Sequence, residues 1–113
     1  MPTTYIGRRD RHVGGAAVMR RDEKGGISAL PFRWDLVNHS PTGFEWGYGG
    51  SGPAQLALAL LVDATGDEQW SLTHYQSFKW EVVSSLPWEW ELHQETVRAW
   101  CEKEKAKAQD HAL

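Results

Sequence analysis

Residues 44–64 read FEWGYGGSGPAQLALALLVDA, in which an aromatic, glycine-rich segment runs directly into an apolar one. Phe44, Trp46 and Tyr48 alternate with polar or small residues, and this period of two predicts a β-strand with three aromatic rings on one face. Pro53 is typical of the first turn of a helix. Because the residues after it are apolar nearly all round, they predict a buried central helix.

The segments upstream of this stretch predict a small β-sheet. Short apolar runs in residues 3–8 and 16–21 indicate two strands. Residues 22–26, DEKGG, are typical of a tight turn, because glycine adopts the positive φ that such turns need. The run 27–30 then returns as the second strand of a hairpin. A loop is expected over residues 38–43.

Downstream of the central helix the pattern becomes mainly helical. Apolar residues at helical spacing predict a second helix over residues 67–85, which Pro87 ends. Residues 88–92 alternate again and indicate either a short strand or an extended link. A third helix is predicted from His93. The charged tail 103–113 favours a helix, but we expect it to fray or project into solvent because nothing apolar anchors it.

This order, β-rich first and α-rich second, predicts the α+β class. The expected architecture is a small N-terminal antiparallel sheet packed on about three C-terminal helices. A chain of 113 residues is one ordinary domain rather than two. We therefore assign residues 1–102 to a single domain and residues 103–113 to the helical tail.

Cysteine usage and hydropathy indicate the cytoplasm. Cys101 is the only cysteine, so no internal disulfide can form, which fits a reducing compartment. The polar, arginine-containing N-terminus lacks the apolar stretch of a secretory signal. The longest apolar run, residues 54–64, is shorter than the about 20 residues that a bilayer-spanning helix needs. We expect a cytoplasmic protein without a membrane segment.

The net charge of −3 is unevenly distributed. Residues 1–33 carry seven basic and three acidic side chains, whereas residues 34–102 carry two basic and ten acidic ones. This asymmetry favours long-range steering of a partner, or simply reflects two solvated faces of one domain. The net acidity argues against nucleic acid as a partner, because affinity for it rests largely on phosphate neutralisation.

Gly47, Gly49 and Gly52 match the pattern G-x-G-x-x-G directly before a helix, and helix N-termini bind phosphate through free N–H groups. One interpretation is therefore a nucleotide or phosphate site. Its members would be Gly47, Tyr48, Gly49, Gly50, Ser51 and Gly52, with His39 and Glu45. Against it, the chain is too short for the usual βαβαβ unit, and Pro53 removes one N–H. The other interpretation is structural, with no cofactor: the glycines let the chain pass tightly from strand to helix.

Seven tryptophans are more than one small core needs, so one or two are expected at the surface. Trp46, Trp88 and Trp90 are the candidates for contacts with a partner protein, because tryptophan is enriched among residues that dominate binding energy. The alternative is packing, with the aromatic strand against the central helix and one of Trp88 and Trp90 in the core. An exposed aromatic strand could also support a homo-oligomer.

The sequence contains no recognisable catalytic set. No two histidines have the H-x-x-x-H spacing of a metal site, and one cysteine cannot complete a zinc site. No G-x-S-x-G elbow marks a nucleophilic serine. Cys101 follows Trp100 on the expected core face of the third helix, which favours an inert buried thiol. We therefore assign no catalytic residue and no metal ligand, and favour a protein that is not an enzyme.

Residues 38–61, NHSPTGFEWGYGGSGPAQLALALL, resemble a family of small proteins of unknown function from bacterial genomes, phages and other mobile elements. The segments YIGRR at 5–9, YQSFK at 75–79 and WEL at 90–92 extend the resemblance. Small proteins of phages and mobile elements often act by binding a host component, including defence systems. The resemblance therefore implies a non-enzymatic module that binds a host or defence-system protein, with inhibition as one outcome. A protein that binds or sequesters a nucleotide or phosphate ligand is the alternative.

Overall fold

The computed structural model describes residues 2–10 and 15–111, except for the side chains of residues 110 and 111. Its strands are β1 Thr4–Arg9, β2 Ala16–Arg21, β3 Ile27–Ala29 and β4 Trp90–His93. Its helices are α1 Ser51–Thr65, α2 Glu68–Glu81 and α3 Gln94–His111, with a short 3-10 turn at Val83–Ser85. The strands form one antiparallel sheet in the order β3-β2-β1-β4. The predicted α+β fold is confirmed, and the strand β4 joins the sheet from the C-terminal half.

One face of the sheet is buried against the helices. Tyr5 and Gly7 alternate onto this face from β1, with Val18 on β2 and Trp90 on β4 beside them. Gly7 pairs directly with Trp90, and any side chain on Gly7 would overlap the indole ring. The glycine of the first strand is thus required by its cross-strand neighbour.

Helix α1 is the centre of the core. Every residue from Gly52 to Val62 is buried, which confirms the predicted central helix. The helix contacts both α2 and α3. It ends where Gly66 adopts a left-handed conformation with φ 69° and donates its N–H to the carbonyl of Val62. Glycine is the residue that adopts this conformation at the least cost.

The C-terminal elements differ from their predicted bounds at the ends. The predicted second helix extends too far in both directions, because Asp67 is the N-cap of α2 and the helix ends at Glu81. Of the two interpretations of residues 88–92, the short strand is the one observed. His93 still pairs with Thr4 in the sheet, so α3 begins one residue later than expected.

The charged tail continues α3 as a helix through His111. Residues 102–109 are exposed, apart from the half-buried Glu104. Residues 112 and 113 lie outside the described residues, and fraying of the tail stays a prediction. Over the part of the chain that the structure describes, no helix has the length and apolar character needed to cross a membrane.

The predicted strand at Phe44, Trp46 and Tyr48 is wrong, because these residues form an irregular loop outside the sheet. Gly43 and Gly47 have positive φ angles of 122° and 86°, which a continuous strand does not contain. The turn at Gly47 also separates the rings: the first two are buried, and Tyr48 is exposed. The alternating aromatic residues therefore belong to a loop that covers the core.

Gln55, which is fully buried in α1, holds the preceding loop in place. Its amide oxygen accepts the backbone N–H of His39 at 2.8 Å. Its amide nitrogen donates to the carbonyls of Phe32 at 2.7 Å and Val37 at 3.0 Å. Because its oxygen and its nitrogen both have partners, the amide is tolerated in the core, and the loop is tied to the first turns of α1.

A polar cluster joins the C-terminal end of α1 to the sheet. Asp63 accepts hydrogen bonds from the phenol of Tyr5 at 2.7 Å and from Arg20 Nε at 2.8 Å. Gln94, at the start of α3, donates to the Tyr5 hydroxyl at 3.0 Å. Burial, followed by the hydrogen bond to Asp63, raises the pKa of Tyr5 above its ordinary value, so the phenol stays protonated and donates.

Candidate functional site

One loop, residues 44–50, carries most of the predicted site and is fixed to the segment that follows α2. Gly47 donates its N–H to the carbonyl of Val83 at 3.1 Å. Trp46 donates its indole N–H to the carbonyl of Trp88, also at 3.1 Å. The loop is thus bound to two places in that segment, and its position is set by contacts that are distant in sequence.

The glycines of this region are packed against their own chain. A Cβ on Gly49 would overlap the ring of Trp80. At Gly52 a Cβ would lie 2.6 Å from the Cβ of Glu45. This close packing accounts for the glycines in the way that the structural interpretation predicts. A phosphate or nucleotide site at residues 47–52 stays a prediction.

Glu45 pairs with an arginine that the sequence analysis does not single out. Arg9 Nη2 lies 2.6 Å from Glu45 Oε1. The guanidinium carbon of Arg9 lies 4.3 Å from the ring centroid of Trp46 and 4.7 Å from that of Trp88. The cation is therefore held between two indoles and a carboxylate. This internal contact occupies the carboxylate of Glu45 and one face of Trp88.

Two of the three predicted partner-binding tryptophans are in the core. Trp46 and Trp90 are buried, and their rings meet edge to face with centroids 5.5 Å apart. They stabilise the core and present almost no surface to a partner. Trp88 is exposed, which agrees with the alternative that one of Trp88 and Trp90 lies in the core.

Two further aromatic side chains are exposed beside Trp88. Tyr48 is 52% exposed, Trp80 60% and Trp88 57%. The rings of Tyr48 and Trp80 each lie over a glycine of the loop 44–50, and the backbone of Trp88 binds the indole of Trp46 in the same loop. We call Tyr48, Trp80 and Trp88 the aromatic surface, because all three border this loop.

A third exposed tryptophan lies elsewhere. Trp34 stacks on Phe32 with ring centroids 4.4 Å apart and donates its indole N–H to the carbonyl of Ser40 at 3.0 Å. Among the described residues, three tryptophans are thus exposed rather than the predicted one or two. Trp34 offers a matched control for experiments on the aromatic surface.

The N-terminus of α1 is adjacent to this surface and has no side-chain cap. Gly50 is the N-cap residue, and the first turn contains no acidic side chain. Glu45 packs against Gly52 in that turn, but its carboxylate pairs with Arg9 instead of the helix N–H groups. The first amides of α1 therefore have no hydrogen bond to a capping side chain.

Lys79 lies in the last turn of α2, beside the N-terminus of α1. Its aliphatic stem is buried, with only 7% of the residue exposed. Its ammonium nitrogen lies 4.3 Å from the ring centroid of Trp80, and the same ring contacts Gly49. Within the described part of the chain, no carboxylate pairs with this ammonium group.

His39, predicted as part of the ligand site, is bound elsewhere. Its Nε2 lies 2.5 Å from the hydroxyl of Tyr75 in α2, and its backbone N–H binds Gln55 in α1. The structure therefore places His39 in the contact between the 38–43 loop and the two helices. None of its described hydrogen bonds is with the glycine segment.

The remaining candidate residues for catalysis or metal binding lie away from this loop. Cys101 is buried in α3, as predicted, and burial raises the pKa of its thiol to about 11. Within residues 2–10 and 15–111, no group of three or more His, Cys, Asp or Glu side chains is arranged to hold a metal ion. The thiol is therefore protonated and shielded at neutral pH.

Comparison with known protein families matches residues 5–103 to DUF6166, a family of unknown function. The chain belongs to this family. No curated protein and no solved structure matches it. The DUF6166 match begins in β1 and ends in α3, so it contains the aromatic surface and both cations described above. The predicted membership of a family of unknown function is confirmed, and the origin in phages and mobile elements stays an expectation.

Three residues beside this loop are missed by the sequence analysis, although the sequence contains signals for two of them. Arg9 is at position i+4 from Tyr5 in β1, so strand alternation places it on the inner face. Trp80 lies off the core face of α2 that Phe78 defines, which predicts exposure. For Lys79 the local pattern predicts only burial, and its position at the start of α1 depends on how the helices pack.

Proposed function

We propose that this chain is a non-enzymatic binding module that docks on a partner protein through the aromatic surface of Tyr48, Trp80 and Trp88. One observation carries the proposal: three large aromatic side chains, each more than half exposed, border the same loop. Tryptophan and tyrosine supply much of the binding energy at protein interfaces, and exposing them contributes nothing to the core.

The fixed positions of the side chains in the aromatic surface support this function. The hydrogen bonds of Gly47 and Trp46 hold the loop, and the guanidinium of Arg9 lies 4.7 Å from the ring centroid of Trp88 on its inner side. Side chains that are held in place before docking lose little conformational entropy when a partner covers them. The surface is therefore organised for association.

Charged side chains lie in the chain segment that follows Trp88. Arg8 lies 3.7 Å from Glu89 and 3.7 Å from Glu91, and all three side chains are about half exposed. Interfaces commonly combine an apolar centre with such a solvated rim, which contributes more to specificity than to affinity. The partner would then present an apolar patch to the rings and polar groups to the rim.

We assign the partner to the host cell, with a defence-system protein as the specific case. This assignment rests on the resemblance to small proteins of phages and mobile elements, which often act by binding host components. Inhibition would follow where docking covers the active site or a binding site of the host protein. Both proteins would meet in the cytoplasm, as the lone cysteine and the hydropathy predict.

The test is a pull-down from bacterial lysate with three matched baits. The wild-type chain and the Trp34→Ala variant should retain the same host protein. The double variant Tyr48→Ala with Trp88→Ala should lose it, because removal of interface aromatics costs at least about 2 kcal/mol, or roughly thirtyfold in affinity. Thermal unfolding of each bait confirms that the variants are folded.

Two outcomes would overturn the proposal. Retention by the double variant equal to that of the wild type would exclude the aromatic surface as the docking site. A dimer of the wild-type chain that native mass spectrometry detects and that the double variant lacks would make a second copy the occupant instead of a host protein. Failure of every folded bait to retain a protein would count against a host partner.

A further inference from the structure

We propose that the aromatic surface binds a proline-rich segment of the partner in the polyproline II conformation, with a basic residue at the end of that segment. This inference rests on the proposed docking function and adds the chemistry of the segment that docks. Three properties carry it: the hydrogen-bond donors on the rings of the aromatic surface, the arrangement of those rings, and the carboxylate next to Trp80.

The first property is the set of hydrogen-bond donors that the rings present. Within the part of the chain that the structure describes, the indole N–H groups of Trp80 and Trp88 and the hydroxyl of Tyr48 have no hydrogen-bond partner. Three other tryptophans donate their indole N–H to an oxygen of the chain: Trp34, Trp46 and Trp100. The aromatic surface therefore presents apolar rings together with free donors.

A polyproline II segment has the complementary chemistry. Its backbone forms no internal hydrogen bonds, so its carbonyl groups are available as acceptors, and proline has no N–H that needs a partner. Its rings pack on aromatic side chains at the surfaces that recognise such segments. An α-helix of a partner would use its carbonyl groups internally and leave the three donors without backbone acceptors. An added β-strand would need a sheet edge, and residues 44–50 form a loop outside the sheet.

The second property is the arrangement of the rings. A Cβ on Gly49 would overlap the ring of Trp80, and a Cβ on Gly50 would overlap the ring of Tyr48, so these two rings lie over consecutive residues of the loop. A polyproline II helix rises about 3.1 Å per residue and is already extended before it binds. Because the rings are packed on the loop and the segment is stiff, neither loses much conformational entropy on association.

Cations of the chain already lie against both exposed indoles of the aromatic surface. The ammonium nitrogen of Lys79 lies 4.3 Å from the ring centroid of Trp80, and the guanidinium carbon of Arg9 lies 4.7 Å from that of Trp88. A second cation stacked on either ring would be repelled by the first. The rings therefore favour a neutral apolar group such as proline over a stacked lysine, arginine or quaternary ammonium group.

The third property is the carboxylate next to Trp80. Glu81 is exposed, and one of its oxygens accepts the indole N–H of Trp100 at 3.3 Å. Glu81 forms no salt bridge with a described residue. A basic residue at the end of the proline-rich segment would pair with this carboxylate, which contributes more to the direction of binding than to affinity.

The experiment is a titration of the isotopically labelled full chain with a synthetic polyproline peptide that ends in arginine, followed by NMR of the indole N–H groups. We expect saturable shifts of the Trp80 and Trp88 indole resonances. The Trp34 resonance, whose N–H is bound to Ser40, should stay unchanged and is the internal control. The same peptide with alanine in place of proline should bind about tenfold more weakly, because it is not held in the extended conformation.

Conservative variants test the donors separately from the rings. Trp88→Phe and Tyr48→Phe each keep an aromatic ring and remove a donor, so each should lower the affinity for the peptide about fivefold. Trp34→Phe, which changes an exposed tryptophan outside the aromatic surface, should bind like the wild type. Glu81→Gln should weaken the arginine-ended peptide about threefold and leave a peptide without arginine unaffected. Thermal unfolding confirms that each variant is folded.

The outcomes separate this inference from the proposed function. Shifts that do not saturate at millimolar peptide would overturn the proline-rich segment, while docking would stand if the double variant of Tyr48 and Trp88 still loses the host protein. Equal affinities for the proline and alanine peptides, or unchanged affinity in both phenylalanine variants, would also overturn it. A Glu81→Gln variant that binds both peptides like the wild type would remove the basic residue from the proposal. Saturable peptide binding, with no host protein retained from lysate, would support the proline-rich segment and count against the host partner alone.

Discussion

The polar groups at the two ends of α1 differ in the hydrogen-bond partners that the chain supplies. At the C-terminal end Gly66 donates to the carbonyl of Val62, and Arg98 Nε donates to the carbonyl of Ala64 at 2.7 Å. Asp63 at the same end binds both the sheet and the start of α3. The chain therefore supplies its own partners for the polar groups at this end.

The N-terminal end of α1 has no side-chain cap. No side chain caps the helix, Lys79 has no carboxylate among the described residues, and Tyr48 and Trp80 are exposed around it. The side chains of the fold thus complete the C-terminal end of this helix more fully than its N-terminal end. Loss of a charge should therefore cost more stability at the C-terminal end than beside the N-terminal end.

The largest effect is expected at the C-terminal end from Asp63→Asn. The variant leaves Arg20 without its carboxylate and weakens the bond to Tyr5, so the free energy of unfolding should fall by about 3 kcal/mol. Urea unfolding at neutral pH measures the change. Asp35→Asn, which breaks an exposed pair with Arg33, is the control and should have little effect. Equal losses in the two variants would contradict the comparison.

A smaller loss is expected from Gln55→Leu, which keeps the volume in α1 but removes the amide. The backbone groups of Phe32, Val37 and His39 would lose their partners, and the free energy of unfolding should fall by about 2 kcal/mol. Hydrogen exchange of the His39 amide should accelerate at the same time. Gln76→Leu, on the exposed side of α2, is the control. A slow His39 amide in Gln55→Leu would show that other contacts hold the loop.

Tyr5→Phe should lower the free energy of unfolding by about 1 kcal/mol at neutral pH, because the hydrogen bond to Asp63 is lost. The pKa of Tyr5 in the folded chain is raised above its ordinary value of 10.0. Its stabilising contribution is therefore complete below that pH and is lost as the pH rises above it. The difference between wild type and variant should shrink in urea unfolding at alkaline pH. A constant difference would contradict the role of the protonated phenol.

The smallest effect is expected beside the N-terminal end of α1, at Lys79. Lys79→Met removes the cation from the last turn of α2 together with its contact to the Trp80 ring, and keeps the apolar stem, so the free energy of unfolding should fall by about 0.5 kcal/mol. Urea unfolding measures the change in the free energy of unfolding. Arg20→Met, which should lose more stability, is the variant for comparison. A loss of stability in Lys79→Met as large as that in Arg20→Met would contradict the comparison.

Much of the fold can be predicted from the sequence because the relevant interactions are local. The apolar run after Pro53 can only be accommodated in a core, and the turn at residues 22–26 brings neighbouring strands together without help from distant segments. The strand at residues 44–48 is the error. An alternating pattern indicates a strand only where a neighbouring strand is available, and none of the four described strands pairs with this loop.

The site is predicted less completely than the fold. Tyr48, Trp88 and the glycine segment are identified from composition and spacing, whereas Trp80 and Arg9 are not. Trp80 lies about 30 residues from the glycine that it covers. The pairing of Glu45 with Arg9 likewise joins the loop to the end of β1. Such contacts depend on packing between segments, which no local pattern contains.

By itself the sequence determined that this chain is an α+β domain built around one apolar helix, with more tryptophan than its core requires. Those features follow from hydrophobic periodicity and composition, which act over a few residues. Only the tertiary structure decided which tryptophans are exposed, that Arg9 occupies the carboxylate of Glu45, and that Lys79 lies at the uncapped end of α1. Each of these depends on the antiparallel packing of α1 and α2 and on the loop between sheet and helix, where residues far apart in the chain share one surface.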